Sequence, residues 1–218
     1  MTKILQLFAL AYRHIKVQIA KKYVIAFLVI SWSCQNTYAQ YLPKSTFETS
    51  EELFFSGAQT WDKYVVSYGG NDSCGCVQIH DSTTLKIVSI TKKLPAMVRS
   101  IAINANPFMI AVGQLDGSLY ILGKDLSIIK KLTKAHVGAI RSVCFEHKGK
   151  SLLSAGEDKI IKKWPIDLSK ELGQLKDHKQ AINSVICIPN ENIILSADEG
   201  GEIKVWNAED MKLILKPA

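Results

Sequence analysis

The sequence predicts an all-β chain assembled from sheets of four short antiparallel strands. Three observations predict it. The chain overlies itself at an offset of 42 residues without a gap. Each repeat breaks into strand-like apolar pieces of five to seven residues separated by turn signals. Beyond Gln40 no segment sustains a 3.6-residue apolar period, which disfavours a helical solenoid.

Residues 1–39 read as a segment apart, a signal peptide or membrane anchor ahead of a domain spanning 40–218. Lys3, Arg13, Lys16, Lys21 and Lys22 precede an apolar run from Tyr23 to Trp32, and the segment holds no acid. That run suits a signal core and is short for a bilayer span. Thr37-Tyr38-Ala39 places small residues at −3 and −1, so cleavage before Gln40 and export to a periplasmic or extracellular location are expected. An uncleaved anchor and a mitochondrial presequence are the alternatives, and only an uncleaved segment would tie the chain to a membrane. Cys34 fits a lipoprotein site poorly, because Ser31 stands where an aliphatic residue is wanted. Without the leader's five bases, 22 basic residues face 20 acidic ones, and most of the net charge of +7 disappears. An electrostatic grip on nucleic acid is therefore not expected. The lysines at 130, 131, 134, 148, 150, 159, 162 and 163 read as a solvated face.

Four units follow, at roughly 48–92, 93–134, 135–176 and 177–218. The first is degenerate and places His80 in a column shared by Leu122, Trp164 and Trp206. In the others, residues 97–103, 139–145 and 181–187 superpose, as do Leu119, Ile161 and Ile203, and Asp116 overlies Asp158. The third unit shows the plan best, with strands expected at about 139–145, 150–155, 160–164 and 171–175. Gly156-Glu157-Asp158 and Pro165-Ile166-Asp167 supply turns. In the fourth, Asp198-Glu199-Gly200-Gly201 does the same.

The first strand of each unit carries an irregular step. Apolar residues fall at Val98, Ile101 and Ile103, at Ile140, Val143 and Phe145, and at Ile182, Val185 and Cys187. A regular strand steps by two throughout. The extra residue predicts a β-bulge holding Arg99-Ser100, Arg141-Ser142 and Asn183-Ser184.

These motifs resemble the WD-repeat β-propeller family over roughly residues 50–218, in about four repeats. The third unit has Ala135-His136, Ser154-Ala155-Gly156-Glu157-Asp158 and Ile160 to Pro165; the fourth has Asp177-His178, Ser196 to Gly201 and Ile203 to Asn207. No copy keeps a literal Trp-Asp pair, since Pro165 follows Trp164 and Asn207 follows Trp206. The resemblance implies propeller blades of four antiparallel strands. It also implies a structural hydrogen-bond network of His136, Ser154, Asp158 and Trp164. The fourth unit keeps His178, Ser196 and Trp206 but has Gly200 in the Asp column, so Asp198 or Glu199 must substitute. The second retains only Asp116, with Leu94, Val112 and Leu122 in the other columns. The resemblance further places the bulges near a face that meets partners, so Arg99, Arg141, Asn183, Glu157 and Glu199 are the candidate contacts.

The function expected is an interaction module for a protein or peptide, without catalysis, cofactor or metal. The alternative is the sensor part of a larger exported or signalling enzyme whose catalytic domain lies elsewhere. A propeller enzyme similar to the quinoprotein dehydrogenases would need converging ionisable groups at the ring axis, and the sequence offers no such set. The Ser/His/Asp set reads as blade support, because it recurs and the Trp would cover it. Cys74, Cys76 and His80 alternate on one strand and lack a fourth ligand, so a metal site is disfavoured. Gly69-Gly70-Asn71-Asp72 is a turn rather than a phosphate loop. Cys144 and Cys187 lie within apolar strand patterns and are expected as core. Four units fall short of the family's usual closure, so a fragment, a ring of two copies or a small four-bladed form is implied. An open arc would expose blade edges to self-association.

Overall fold

The computed structural model describes residues 54–71, 73–91, 93–146, 149–188 and 191–215. The leader, its cleavage site, Cys34, His14 and His147 lie outside them. The described residues form sixteen strands in four antiparallel sheets, each built from four consecutive strands. Sheet 1 holds β1 (Phe54–Trp61), β2 (Tyr64–Asn71), β3 (Cys74–Asp81) and β4 (Ile87–Ile90). Sheet 2 holds β5 (Val98–Ala105), β6 (Phe108–Gln114), β7 (Leu119–Leu122) and β8 (Ile128–Leu132). Sheet 3 holds β9 (Ile140–Phe145), β10 (Ser151–Gly156), β11 (Ile161–Pro165) and β12 (Gly173–Leu175). Sheet 4 holds β13 (Ile182–Cys187), β14 (Ile193–Asp198), β15 (Ile203–Asn207) and β16 (Lys212–Leu215).

Alternation along the strands gives sheets 2 and 3 an apolar layer on each face. In sheet 3 one face carries Leu152, Ser154 and Trp164, and the other carries Leu153, Ala155 and Ile161. The first packs on Ala111, Leu119 and Ile121 of sheet 2. The second packs on Ile182, Ile194 and Trp206 of sheet 4. Sheets 1 and 2 repeat the arrangement, with Val66, Val77 and Ile79 set against Ile101, Ile110 and Tyr120. The core is thus three apolar layers between four sheets. Sheet 4 turns Leu195, Ala197 and Ile203 the other way, and Ile203 is 36% exposed where its counterpart Ile161 is fully buried.

The first strands β1, β5, β9 and β13 are neighbours in that order. Side chains tie them together. Gln59 donates to the Ile101 carbonyl at 2.8 Å, Ser100 to the Ile140 carbonyl at 3.3 Å, and Ser142 to the Val185 carbonyl at 3.3 Å. Ser142 Oγ also accepts the Val185 N–H at 3.0 Å.

Cys144 and Cys187 require a correction. They are not independent core residues but a disulfide joining β9 to β13. Their separation of 43 residues, one more than the repeat, puts them on facing first strands with Cα atoms 6.3 Å apart, a span that suits the bond.

The hairpin between the second and third strands of sheets 2, 3 and 4 needs one residue with positive φ. Gly117 (+80°), Lys159 (+67°) and Gly201 (+82°) fill the same place in successive repeats. Only at Gly117 does crowding also demand glycine, because a Cβ there would lie 2.2 Å from the His136 carbonyl oxygen.

Leu153 is fully buried and Leu172 is 58% exposed. Leu153→Ala should lower the unfolding free energy by about 2–5 kcal/mol in urea melts, whereas Leu172→Ala should change it by less than about 0.5 kcal/mol.

Candidate functional site

A buried polar chain crosses sheet 3. The Trp164 indole N–H donates to Ser154 Oγ at 2.7 Å. Ser154 Oγ lies 2.6 Å from His136 Nε2, and His136 Nδ1 lies 2.9 Å from both oxygens of Asp158. With Nδ1–H given to Asp158, Nε2 accepts the serine proton, and each buried group has a partner. Asp158 also accepts the N–H groups of Val137 and Ile160, both at 3.3 Å, and so ties the strand entry to the turn.

Sheet 4 has the same chain, with the fourth position rebuilt. Trp206 donates to Ser196 at 2.8 Å and Ser196 meets His178 Nε2 at 2.6 Å. The partner of His178 Nδ1 is Asp198, at 3.0 Å, so of the two substitutes Asp198 supplies the carboxylate. It also accepts the Glu202 N–H at 2.9 Å. In sheet 2 Asp116 turns to Ser118, accepting its N–H at 2.9 Å and its hydroxyl at 3.0 Å. There Leu94, Val112 and Leu122 replace the polar chain with apolar contact. Sheet 1 retains a half that the sequence reading missed. His80, in the Trp column, meets Ser67 at 2.9 Å. Ser67 escapes the alignment because thirteen residues separate it from His80, against ten between Ser154 and Trp164.

These sets cannot act on a substrate. Ser154 is fully buried and His136 is 2% exposed, so no acyl group can reach the hydroxyl, which the indole also occupies. Burial opposes ionisation of Asp158, but the His136 hydrogen bond and the two backbone N–H groups outweigh it and hold the carboxyl below its usual value. Asp198 behaves alike, with the Glu202 N–H and His178 overcoming burial.

The bulges lie where the sequence places them. The β5–β6 register jumps between Val98 and Ser100, leaving Arg99 unpaired in the ladder. Arg141 is skipped between Ile140 and Ser142, and Asn183 between Ile182 and Ser184. Sheet 1 has a fourth bulge, at Ser56 between Phe55 and Gly57, which the degenerate first unit concealed. Three of the candidate contacts converge on a fourth, Arg141. Its guanidinium donates to Glu199 at 2.7 Å, Asn183 at 2.8 Å and Glu157 at 3.0 Å. Glu157 accepts the Ala139 N–H at 3.1 Å as well, and that bond together with Arg141 holds its carboxyl low. Arg99, the fifth, is exposed and stands outside the cluster. Beside these residues a cleft of about 450 Å³ opens between the first strands, lined by Tyr68, Arg99, Arg141, Val143, Phe145 and Val185.

The other sequence candidates take structural partners. Cys74 Sγ donates to Asn71, and Cys76 is 1% exposed with its thiol pushed up to about 11 by burial. Lys162 donates to the Ala135 carbonyl at 2.7 Å and Lys163 to the Ala208 carbonyl at 2.9 Å, so part of the lysine run is structural. His178, Asp198 and Glu202 approach one another closely, but the Lys204 ammonium lies 3.2 Å from Glu202 and also meets Asp177, supplying the cation there.

The WD domain, G-beta repeat profile matches residues 127–165 and 169–207. Each match takes the last strand of one sheet and the first three of the next, so the repeat in sequence is out of phase with the sheet and straddles a joint. WD repeat-containing protein 55 of Danio rerio is 32% identical over 120 residues, 53% of this chain and 31% of that protein. Target of rapamycin complex subunit wat1 of Schizosaccharomyces pombe is 25% identical over 100 residues, 46% of this chain and 32% of that one. The chain therefore spans about a third of the length of these relatives. Among solved structures, a chain of a mitotic checkpoint complex superposes with a TM-score of 0.67 at 18% identity, covering 78% of this chain and 54% of that one. The RRP9 WD40 repeats superpose at 0.66 and 15% identity, covering 76% and 52%. Such identities establish the shared fold alone.

His136→Ala should cost about 1–3 kcal/mol by orphaning Ser154 and Asp158, read as a lowered urea midpoint, and Trp164→Phe should cost a comparable amount. Because Asp158 and Asp198 are depressed when folded, they stabilise the fold above the unfolded carboxyl value near pH 4 and lose that effect as pH falls through their lower folded values. Denaturation between pH 6 and 2 should show this decline, and Asp158→Asn should flatten it.

Proposed function

The chain belongs to the WD-repeat β-propellers over residues 127–207, with the same sheet plan on either side, and from that premise we propose that it works as a non-catalytic interaction module. Its contact surface is the bulged end of the first strands, where Arg99, Arg141 and Asn183 leave the ladder beside the cleft. The observation that carries this reading is the immobilisation of Arg141 by three acceptors from two sheets. A guanidinium held in place before a partner arrives loses less conformational entropy on binding, and exposed residues on a rigid scaffold are where contacts concentrate. The polar groups of the His–Ser–Trp chains are buried and committed, leaving this end as the chemically diverse surface. The company kept by similar proteins agrees, since one relative is a subunit of a target of rapamycin complex and one solved neighbour sits in a mitotic checkpoint complex.

The reading includes export to an oxidising compartment. The basic and apolar leader supports it, and so does the Cys144–Cys187 disulfide, a bond that persists where thiols are not kept reduced.

A photo-crosslinking side chain at Asn183 should yield adducts with another protein in the native source, and one at Lys130 on the outer strand β8 should not. Equal yields from both positions would remove the assignment of the face. Alkylation under non-reducing conditions, followed by peptide mass mapping, should show Cys144 and Cys187 linked. Recovery of both as alkylated thiols would argue against an oxidising location.

A further inference from the structure

The bulge and turn positions form a two-column pattern along the chain. Successive repeats pair Arg99 with Leu115, Arg141 with Glu157, and Asn183 with Glu199. In the complete case Arg141 binds a carboxylate from its own turn, Glu157, and another from the next sheet's turn, Glu199. The next bulge residue, Asn183, adds a carbonyl oxygen.

One repeat earlier, Arg99 has lost these acceptors. Its own turn carries Leu115, which is 37% exposed. The next sheet's turn carries Glu157, whose two oxygens are taken by Arg141 and the Ala139 N–H. The next bulge residue is Arg141, a donor rather than an acceptor. Among the described residues Arg99 has no acceptor within hydrogen-bond distance, although its charge reaches Tyr68 and Glu157. An exposed guanidinium therefore lines the cleft without either of the carboxylates that Arg141 binds 42 residues later.

Resting on the interaction-module reading, we infer that Arg99 is the receptor for a carboxylate side chain of the partner protein. That carboxylate takes, beside Arg99, the place that Glu157 takes beside Arg141. A planar guanidinium accepts such a group in the bidentate manner. Leu115 lies at the turn position where the methylene stem of a glutamate would pass. The partner chemistry is thus an acidic, glutamate-bearing segment entering beside Leu115 at the β6–β7 turn of sheet 2.

The repeat also supplies the test. Leu115→Glu restores in this unit the carboxylate present at Glu157 and Glu199, and so should occupy Arg99 from within the chain. Binding of fluorescein-labelled hexaglutamate to the full chain is compared by anisotropy with hexaglutamine at low salt. The wild type should bind hexaglutamate about tenfold more tightly, a difference of about 1.4 kcal/mol. Arg99→Gln and Leu115→Glu should each abolish that preference without lowering the melting temperature, and Leu172→Glu, an acidic control on an exposed site, should leave it intact. No preference for hexaglutamate in the wild type, or a preference that survives Arg99→Gln, overturns the inference. If adducts still form at Asn183, the module stands and only its acidic specificity falls. If they do not, the parent reading falls as well.

Discussion

Successive sheets in this chain share no backbone ladder, so cohesion between them depends on burying one sheet face against the next. Leu153, Ala155 and Ile161 close against Ile194 and Trp206, and Ala111, Leu119 and Ile121 close against Leu152 and Trp164. The same constraint explains why sheets 2 and 3, each with a neighbour on either side, are apolar on both faces, and why the joints carry additional ties: single serines, a glutamine and, at the last joint, a disulfide. A strand ladder is directional and local. A face-to-face joint is not, and it needs such specific contacts to fix how two sheets meet.

The polar chains solve a second problem that the same packing creates. A tryptophan large enough to fill the joint brings an indole N–H into a dry layer, and an unpaired N–H there is costly. Ser154 accepts it, His136 accepts from the serine, and Asp158 at the rim returns the chain to a turn that water can reach. Sheet 2 avoids the cost by using Leu122 in the same place, and sheet 1 keeps His80 with Ser67. Trp164 facing sheet 2 and Leu122 facing sheet 1 show that a joint demands volume first and polar satisfaction only when a polar group enters. The polar chains also explain how a Ser–His–Asp geometry can exist here without chemistry, since its function requires that nothing else reach the serine.

The bulged ends of the first strands are released from that constraint. Their side chains neither fill a joint nor pair in a ladder, so their identities vary from Ser56 to Arg99, Arg141 and Asn183 while the backbone irregularity stays fixed. A rigid backbone with variable tips suits a contact surface, and the Arg141 cluster shows how the tips can be locked across two sheets. Arg99 has the same placement without the same neighbours, which makes the surface chemically asymmetric along the row of first strands.

The sequence alone was enough for the strand content, the 42-residue spacing and the bulges at Arg99, Arg141 and Asn183, while the sheet 3 network came from its resemblance to the WD-repeat family. All of these are periodic or local, because alternation, turn residues and repeated columns are written along the chain. It did not determine that Asp198 rather than Glu199 would reach His178, since that depends on how the Gly200-Gly201 turn folds back. Ser67 stayed hidden because a longer hairpin shifts it out of the shared column, and Ser56 because the first unit has lost its pattern. The Cys144–Cys187 bond and the gathering of Glu157, Asn183 and Glu199 on Arg141 were decided only by tertiary structure. Both arise from contacts between neighbouring sheets, and the distance across a joint is set by the packing of two whole faces, which no single stretch of sequence specifies.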